Sequence, residues 1–252
     1  MQVTSRTVNA SVTDGPICVV VPTYNEAGSI ATLIERVLAL GPRYRLLIVD
    51  DSSPDGTGQI VDALATENPG RVQLLSRGTK EGIGRAYVAG FDIALKSDAA
   101  LIAQMDADLS HDPKDLQRLV EATRDADLVL GSRYVEGGDT AGWPRHRKAI
   151  SRVGGRYART VLNVPIQDLT GGFKVYRRQA LEALNIDDIS SDGYVFQIET
   201  TYKTFLNGFR VVEIPIHFVD RVAGKSKLSR RIVLEATLVV WKLKVERMLG
   251  RI

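Results

Sequence analysis

Three apolar runs in this chain stop abruptly in acidic and turn-forming residues. Ile17-Cys18-Val19-Val20-Val21 runs into Pro22-Thr23-Tyr24-Asn25-Glu26, and Leu46-Leu47-Ile48-Val49 runs into Asp50-Asp51-Ser52-Ser53-Pro54-Asp55-Gly56. Leu101-Ile102-Ala103-Gln104-Met105 ends in Asp106-Ala107-Asp108. Continuous apolar runs of this length read as buried strands of a parallel sheet. Behind the first, Ile30, Leu33, Ile34, Val37 and Leu38 take the spacing of an amphipathic helix, closed by Gly41-Pro42. Ile60, Val61, Leu64 and Ala65 do the same more briefly. Right-handed crossovers bring the ends of successive parallel strands to one edge. Glu26, Asp50, Asp51, Asp106 and Asp108 are therefore expected to converge on one cleft, where open α/β sheets bind ligands.

The rest of the pattern continues the alternation. Strands are predicted at 72–75, at 127–130 (ending in Gly131-Ser132-Arg133), at 173–177, and at 211–214 and 216–219 on either side of Pro215. Helices are predicted at 82–95, from near Lys114, at 145–163, at 196–206 and, long and basic, at 229–249. The predicted class is α/β, with a mostly parallel central sheet flanked by helices. Residues 1–16 read as a disordered leader or linker, 17–228 as the catalytic-type domain and 229–252 as a C-terminal amphipathic helix.

Two carboxylates as close as Asp106 and Asp108 repel, so a site that keeps both holds a cation or an acid of raised pKa. A helix-capping turn is the alternative, since Asp and Ser favour that position. Carboxylates along a strand edge accept from base N–H groups and sugar hydroxyls and hold hard divalent cations. They repel phosphate unless a metal bridges. A sugar nucleotide meets these demands together.

Composition narrows the field without choosing. With 252 residues, 44% of them hydrophobic, the chain can build one sizeable core. A net charge of +3 and a pI near 9.0 point to an anionic partner. Aromatics interleaved on a basic face are not evident, so nucleic acid is not expected. The lone Cys18 lies in a predicted core strand and reads as an inert thiol. Gly82-Ile83-Gly84 has Tyr87 where a dinucleotide fingerprint needs Gly, and Gly224-Lys225-Ser226 has Val219 where a Walker A loop needs its upstream Gly. His111, His146 and His217 lack metal-ligand spacing and read as incidental surface or loop residues.

The strand-end motifs resemble glycosyltransferase family 2. They are Val20-Val21-Pro22-Thr23-Tyr24-Asn25-Glu26, Val49-Asp50-Asp51-Ser52-Ser53-Pro54-Asp55-Gly56-Thr57, Met105-Asp106-Ala107-Asp108-Leu109-Ser110-His111 and Gly131-Ser132-Arg133-Tyr134. Within that family they are similar to the dolichol-phosphate and polyprenol-phosphate mannose synthases. The block from Asp168 to Arg177 and the tail from Arg221 to Leu228 extend the likeness over roughly residues 17 to 230. The resemblance implies a GT-A-type nucleotide-sugar-binding fold and inverting transfer of mannose from GDP-mannose to a polyprenyl phosphate. It implies that Pro22, Tyr24, Glu26, Val49 and Asp51 hold the guanosine, while Asp106 and Ala107 line the ribose and diphosphate. Asp50 either touches the ligand or supports the turn. Asp108 is the implied ligand of Mg²⁺ or Mn²⁺; where the family can carry Gln as a second ligand, this chain has the shorter oxygen donor Ser110. Arg133, Arg221 and Lys227 are expected to neutralise the diphosphate, and Asp106, Asp108 and Arg133 to be catalytic. The acceptor phosphate is placed at Arg147 and Ser151, one turn apart on a predicted helix.

The most apolar late stretch, 232–241, is interrupted by Glu235 and is too short to span a bilayer. Around it stand Arg230, Arg231, Lys242, Lys244, Arg247 and Arg251. This suits an interfacial helix at the membrane surface or a helix docked on a membrane-embedded partner; closing the domain's own core is the alternative. An integral-membrane partner or fused membrane domain is expected, with the chain peripheral at the cytoplasmic face. Two rival functions remain: UDP-glucose:polyprenyl-phosphate glucosyl transfer, and a non-catalytic nucleotide-sugar-binding subunit of a membrane complex.

Overall fold

Alternating strand residues face two different helical layers, which is what a sheet buried on both sides requires. The computed structural model describes residues 14–189, 191, 193–219 and 230–252; the side chains of 194 and 230–236 are not described. Strands β1 (Ile17–Thr23), β2 (Tyr44–Asp50), β3 (Val72–Ser76) and β4 (Leu101–Gln104) run parallel in the spatial order β3-β2-β1-β4. Helices α1 (Ile30–Leu38), α2 (Thr57–Glu67) and α3 (Ile83–Lys96) make the crossovers. Ile17, Val19, Val21, Leu46 and Ile48 join one apolar cluster with α1 and with α4 (Pro113–Ala122). Val20, Leu47, Val49 and Ile102 join a second with α3.

Beyond β4 the sheet departs from a purely parallel plan. Strand β5 (Leu128–Ser132) does not pair with β4; β7 (Lys174–Arg177) lies between them, antiparallel to both. Strand β8 (Val211–Pro215) then pairs parallel with β5 at the sheet edge. The polypeptide leaves β8 at Pro215, which cannot donate to a ladder, and β9 (His217–Val219) pairs with β6 (Asp139–Ala141) in a separate two-stranded sheet. The hydrophobic pattern does not predict β6, because three residues with only Thr140 buried carry no periodicity.

Helix α5 (Arg145–Leu162), α7 (Gly193–Leu206) and α8 (Arg230–Met248) build a third cluster through Ala158, Leu162, Ile198, Tyr202, Val240 and Leu243. The short α6 (Arg178–Glu182) follows β7 directly. Of the segment read as a leader, residues 1–13 lie outside the described part. Gly15 and Pro16 are tied to the body: the Arg43 guanidinium donates to the Gly15 carbonyl and Ala100 N–H to the Pro16 carbonyl. Burial pushes the Cys18 thiol up to about 12, with Arg45 opposing, which agrees with an inert thiol.

Gly90 is the place where α3 meets the sheet most closely. A Cβ there would run into Val20 Cγ1 and lie 3.1 Å from Val49 Cγ2. Gly90→Ala is expected to lower stability by about 1–3 kcal/mol through overpacking, read as a lower denaturation midpoint with an unchanged slope. An unchanged midpoint would mean that α3 shifts freely on the sheet.

Candidate active site

The order β3-β2-β1-β4 reverses direction between β1 and β4, and ligands of open α/β sheets enter at such switch points. The loops leaving β1, β2 and β4 meet there, and each holds one non-glycine residue in the left-handed region: Asn25 (φ 63°), Ser52 (φ 53°) and Leu109 (φ 60°). A leucine in that region is uncommon. Side-chain hydrogen bonds lock these loops. Asp50 accepts from Thr23 Oγ1 at 2.8 Å, Ser53 Oγ at 2.6 Å and Ser53 N at 2.9 Å. Asp50 therefore supports the turn. Asn25 N donates to Ser53 Oγ at 3.0 Å and Glu26 N to Thr57 Oγ1 at 2.9 Å, stapling the first loop to the second.

The five residues expected to hold the nucleoside divide by what they offer. Tyr24 is exposed, with the Lys80 ammonium 3.4 Å from its ring centroid. Glu26 is half-buried and its carboxylate accepts from Ser29 Oγ at 3.0 Å. The Val49 side chain lies in the core, so only its backbone is available to a ligand, and Pro22 pairs with it across β1 and β2. Asp51 is buried; burial raises its pKa, opposed by the Arg77 guanidinium 3.3 Å away. Asp51 Oδ1 and Arg77 Nη1 stand side by side and neither has a well-formed hydrogen bond among the described residues. Arg77 follows β3 with no motif around it, and sequence reading missed it.

At the end of β4, Asp106 and Asp108 flank Ala107, whose side chain packs into the core. Asp108 Oδ1 accepts from Ser110 N at 3.0 Å and Ser110 Oγ at 2.6 Å. His111, read from the sequence as an incidental surface or loop residue, is buried instead. It stacks on Phe173 with centroids 4.7 Å apart, and its Nδ1 accepts from Asp106 N at 3.2 Å. Burial lowers its pKa, against the pull of Asp106 and Asp108, so the neutral ring carries its proton on Nε2, 4.0 Å from Asp106 Oδ2. No group of three or more His, Cys, Asp or Glu side chains suited to a metal occurs among the described residues. Two carboxylates and a hydroxyl nevertheless fit Mg²⁺ or Mn²⁺, which commonly takes one or two protein carboxylates and fills its shell with water and substrate phosphates.

The sequence reading makes Arg133 a counter-charge for the diphosphate. In the structure it is buried, and its Nε and Nη2 donate to Asp168 at 2.8 and 2.7 Å, with Nη2 also donating to Thr170 Oγ1 at 2.8 Å. A buried guanidinium needs such a partner. Burial by itself would raise the Asp168 pKa, but the Arg133 charge and hydrogen bonds carry it below the usual carboxylate range. A carboxylate so held is a poor general base. Arg133 also lies among Tyr134, Trp143 and Phe218, 5.3 to 5.6 Å from the ring centroids. Arg147 stacks over Trp143 at 3.9 Å, and the Tyr134 hydroxyl donates to Ser151 Oγ. Arg147 and Ser151 therefore meet Arg133 through shared aromatic neighbours. Arg221 and Lys227 lie outside the described residues.

A mostly parallel sheet with this switch point and carboxylates at its β1, β2 and β4 ends has the architecture of the GT-A fold. The family model for glycosyl transferase family 2 matches residues 18–185, and the chain belongs to that family. It is 44% identical over 223 residues to the polyprenol monophosphomannose synthase of Mycolicibacterium smegmatis, covering 88% of this chain and 84% of that protein. It is 46% identical over 224 residues to the undecaprenyl-phosphate mannosyltransferase of Micrococcus luteus, covering 89% and 92%. Among solved structures, the fold is shared with glucosyl-3-phosphoglycerate synthase from Mycobacterium tuberculosis in complex with Mn²⁺, UDP-glucose and phosphoglyceric acid. That likeness has a TM-score of 0.68 at 17% identity and covers 94% of this chain and 82% of the other.

Proposed function

We propose that this glycosyltransferase moves mannose from GDP-mannose to the phosphate of a polyprenyl lipid, giving a lipid-borne mannose donor. The observation that carries the reading is the identity of 44–46%, over nearly nine-tenths of the chain, to relatives named for polyprenyl-phosphate mannosylation. For the donor, Tyr24 supplies an exposed ring, and the Asp51 oxygen beside the Arg77 N–H pairs an acceptor with a donor, as the N1–H and O6 edge of guanine requires. Asp106, Asp108 and Ser110 are the residues that would hold Mg²⁺ or Mn²⁺, which when bound neutralises the diphosphate and the departing GDP. Arg221 and Lys227 are assigned the same electrostatic task.

The acceptor needs no base. A phosphate monoester has its second pKa near 6 and is largely dianionic at neutral pH. One of its oxygens attacks the anomeric carbon while the bond to the GDP β-phosphate breaks, and the electron pair leaves with GDP. Asp168, paired with Arg133, has no proton to take. What the protein supplies is cationic positioning: Arg147 and Ser151 hold the acceptor phosphate, with Arg133 fixed between acceptor and donor.

The membrane enters through α5 and α8, which pack on each other. Ile150 and Val153 on α5 and Leu238, Trp241, Val245 and Met248 on α8 are large, apolar and exposed. Val240 and Leu243 of α8 meanwhile close the core, the alternative role read for that helix. No helix among the described residues is long and apolar enough to cross a membrane. We assign this apolar and basic face to the lipid surface, which brings the acceptor to α5; an integral-membrane partner or fused domain would share the anchoring.

The deciding experiment is a donor panel with undecaprenyl phosphate. GDP-mannose is expected to give lipid-linked mannose, and preferential use of UDP-glucose would overturn the donor assignment. Binding of nucleotide sugar without product would return the chain to a non-catalytic subunit. Arg147→Ala is expected to raise the KM for lipid phosphate about 10-fold or more, as loss of a charge-assisted contact does, with GDP-mannose binding unchanged. Equal losses on both substrates would move Arg147 to the donor pocket.

A further inference from the structure

Trp143 has a buried side-chain hydrogen-bond donor for which the described residues offer no partner. It stands two residues before α5, and it is 8% exposed. Its indole N–H is enclosed and meets no acceptor among the described residues. Buried donors in native proteins are nearly always satisfied, and an exception calls for a specific cause. An unmet N–H costs on folding and gains nothing until an acceptor arrives. An apolar side chain in its place would not carry that cost.

The surroundings of the ring indicate which acceptor. Arg147 lies over its face at 3.9 Å, the closest guanidinium-to-ring approach in the described structure. Arg133 is 5.5 Å from the same ring, and Phe218 packs edge-on at 5.6 Å. Tyr134, the other aromatic flanking Arg133, directs its hydroxyl to Ser151 Oγ. The guanidinium groups of Arg147 and of Arg133, the latter paired with Asp168, flank the indole.

We propose that Trp143 is a third acceptor-binding residue. Its ring face holds the Arg147 guanidinium in place, and its indole N–H donates to an oxygen of the acceptor's phosphate monoester. The inference rests on the assignment of the acceptor phosphate to Arg147 and Ser151. It adds a neutral directional donor to a site otherwise built from charge. Such a donor distinguishes a correctly seated phosphate from one held loosely by charge alone, because a hydrogen bond weakens steeply with angle. Stacking on an indole also removes rotamer freedom from a long side chain before the acceptor binds, so less ordering remains to be paid at binding.

The test separates the N–H from the ring. Trp143→Phe keeps an aromatic face under Arg147 and deletes the donor; Trp143→Leu deletes both. Each is assayed with undecaprenyl phosphate and GDP-mannose, alongside Arg147→Ala, with GDP-mannose affinity and melting temperature measured separately. Trp143→Phe is expected to raise the KM for undecaprenyl phosphate about 10-fold and to leave GDP-mannose affinity within twofold. Trp143→Leu is expected to raise that KM further. An acceptor KM unchanged in Trp143→Phe, with Arg147→Ala impaired, overturns the role of the N–H while leaving the acceptor site standing. An unchanged acceptor KM in all three variants overturns the acceptor site itself.

Discussion

Asp108→Ala is expected to reduce lipid mannosylation by a factor on the order of 10³, the scale seen when a preorganised electrostatic group is removed from an active site. The carboxylate sits beyond the end of β4, half-buried and outside the apolar clusters, so its removal opens no core cavity. Its Oδ1 also orders Ser110 through two hydrogen bonds, which gives a second way to lose activity. Asp108→Asn separates the two. The amide oxygen can still accept from Ser110, while the charge that would hold a divalent cation is gone. If the charge is what matters, Asn is as inactive as Ala, and activity in the wild type falls with excess chelator. Near-normal turnover by Asp108→Asn would reduce Asp108 to a loop-ordering residue. A melting temperature within a few degrees of wild type for both variants is the accompanying expectation.

The largest effect on stability is expected at Asp168. Its carboxylate is fully buried and takes three hydrogen bonds from Arg133, including one from the backbone N–H at 3.0 Å. Asp168→Ala leaves the buried Arg133 without its anion and is expected to cost about 3–5 kcal/mol. The pH dependence has a definite sign. The folded-state pKa of Asp168 is depressed, because the Arg133 charge and hydrogen bonds outweigh the cost of burial. Its contribution is therefore complete above the unfolded-state value of about 3.9 and disappears as pH falls through the lower folded value. The stability gap between wild type and Asp168→Ala should be constant from neutral pH down to about pH 4 and narrow below it. Chemical denaturation of both proteins across that range checks this. A gap that does not narrow in acid would show that packing, not the ion pair, sets the loss.

Lys174 shows how far the interior relies on polar contacts that a hydrophobicity pattern overlooks. It is fully buried in β7, and its ammonium donates to the Gln197 carbonyl at 2.9 Å and Thr200 Oγ1 at 3.1 Å. Burial pushes its pKa well below the usual lysine range. Gln104, at the end of β4, donates to Gly172 O and Gln197 Oε1, closing a polar layer directly behind Asp106.

The chain's own sequence determined the strands of the seven-stranded sheet, most of the helices between them and the edge on which the candidate site lies. Apolar runs report burial, and the handedness of parallel crossovers then leaves one edge for Glu26, Asp51, Asp106 and Asp108. What side chains do to one another across long separations was settled only by the tertiary structure. Residues 173–177 read as a strand, but nothing local says that it inserts antiparallel between β4 and β5, since burial on both faces looks the same in either direction. His111 becomes buried because Phe173, 62 positions later by number, brings its ring against it. Arg133 finds Asp168 across 35 residues, and that pairing, not its own neighbours, decides where its guanidinium points. The unmet N–H of Trp143 likewise exists only once Arg133, Arg147 and Phe218 have gathered around the ring. Periodicity records how much of a residue is covered; only three-dimensional contact determines by what.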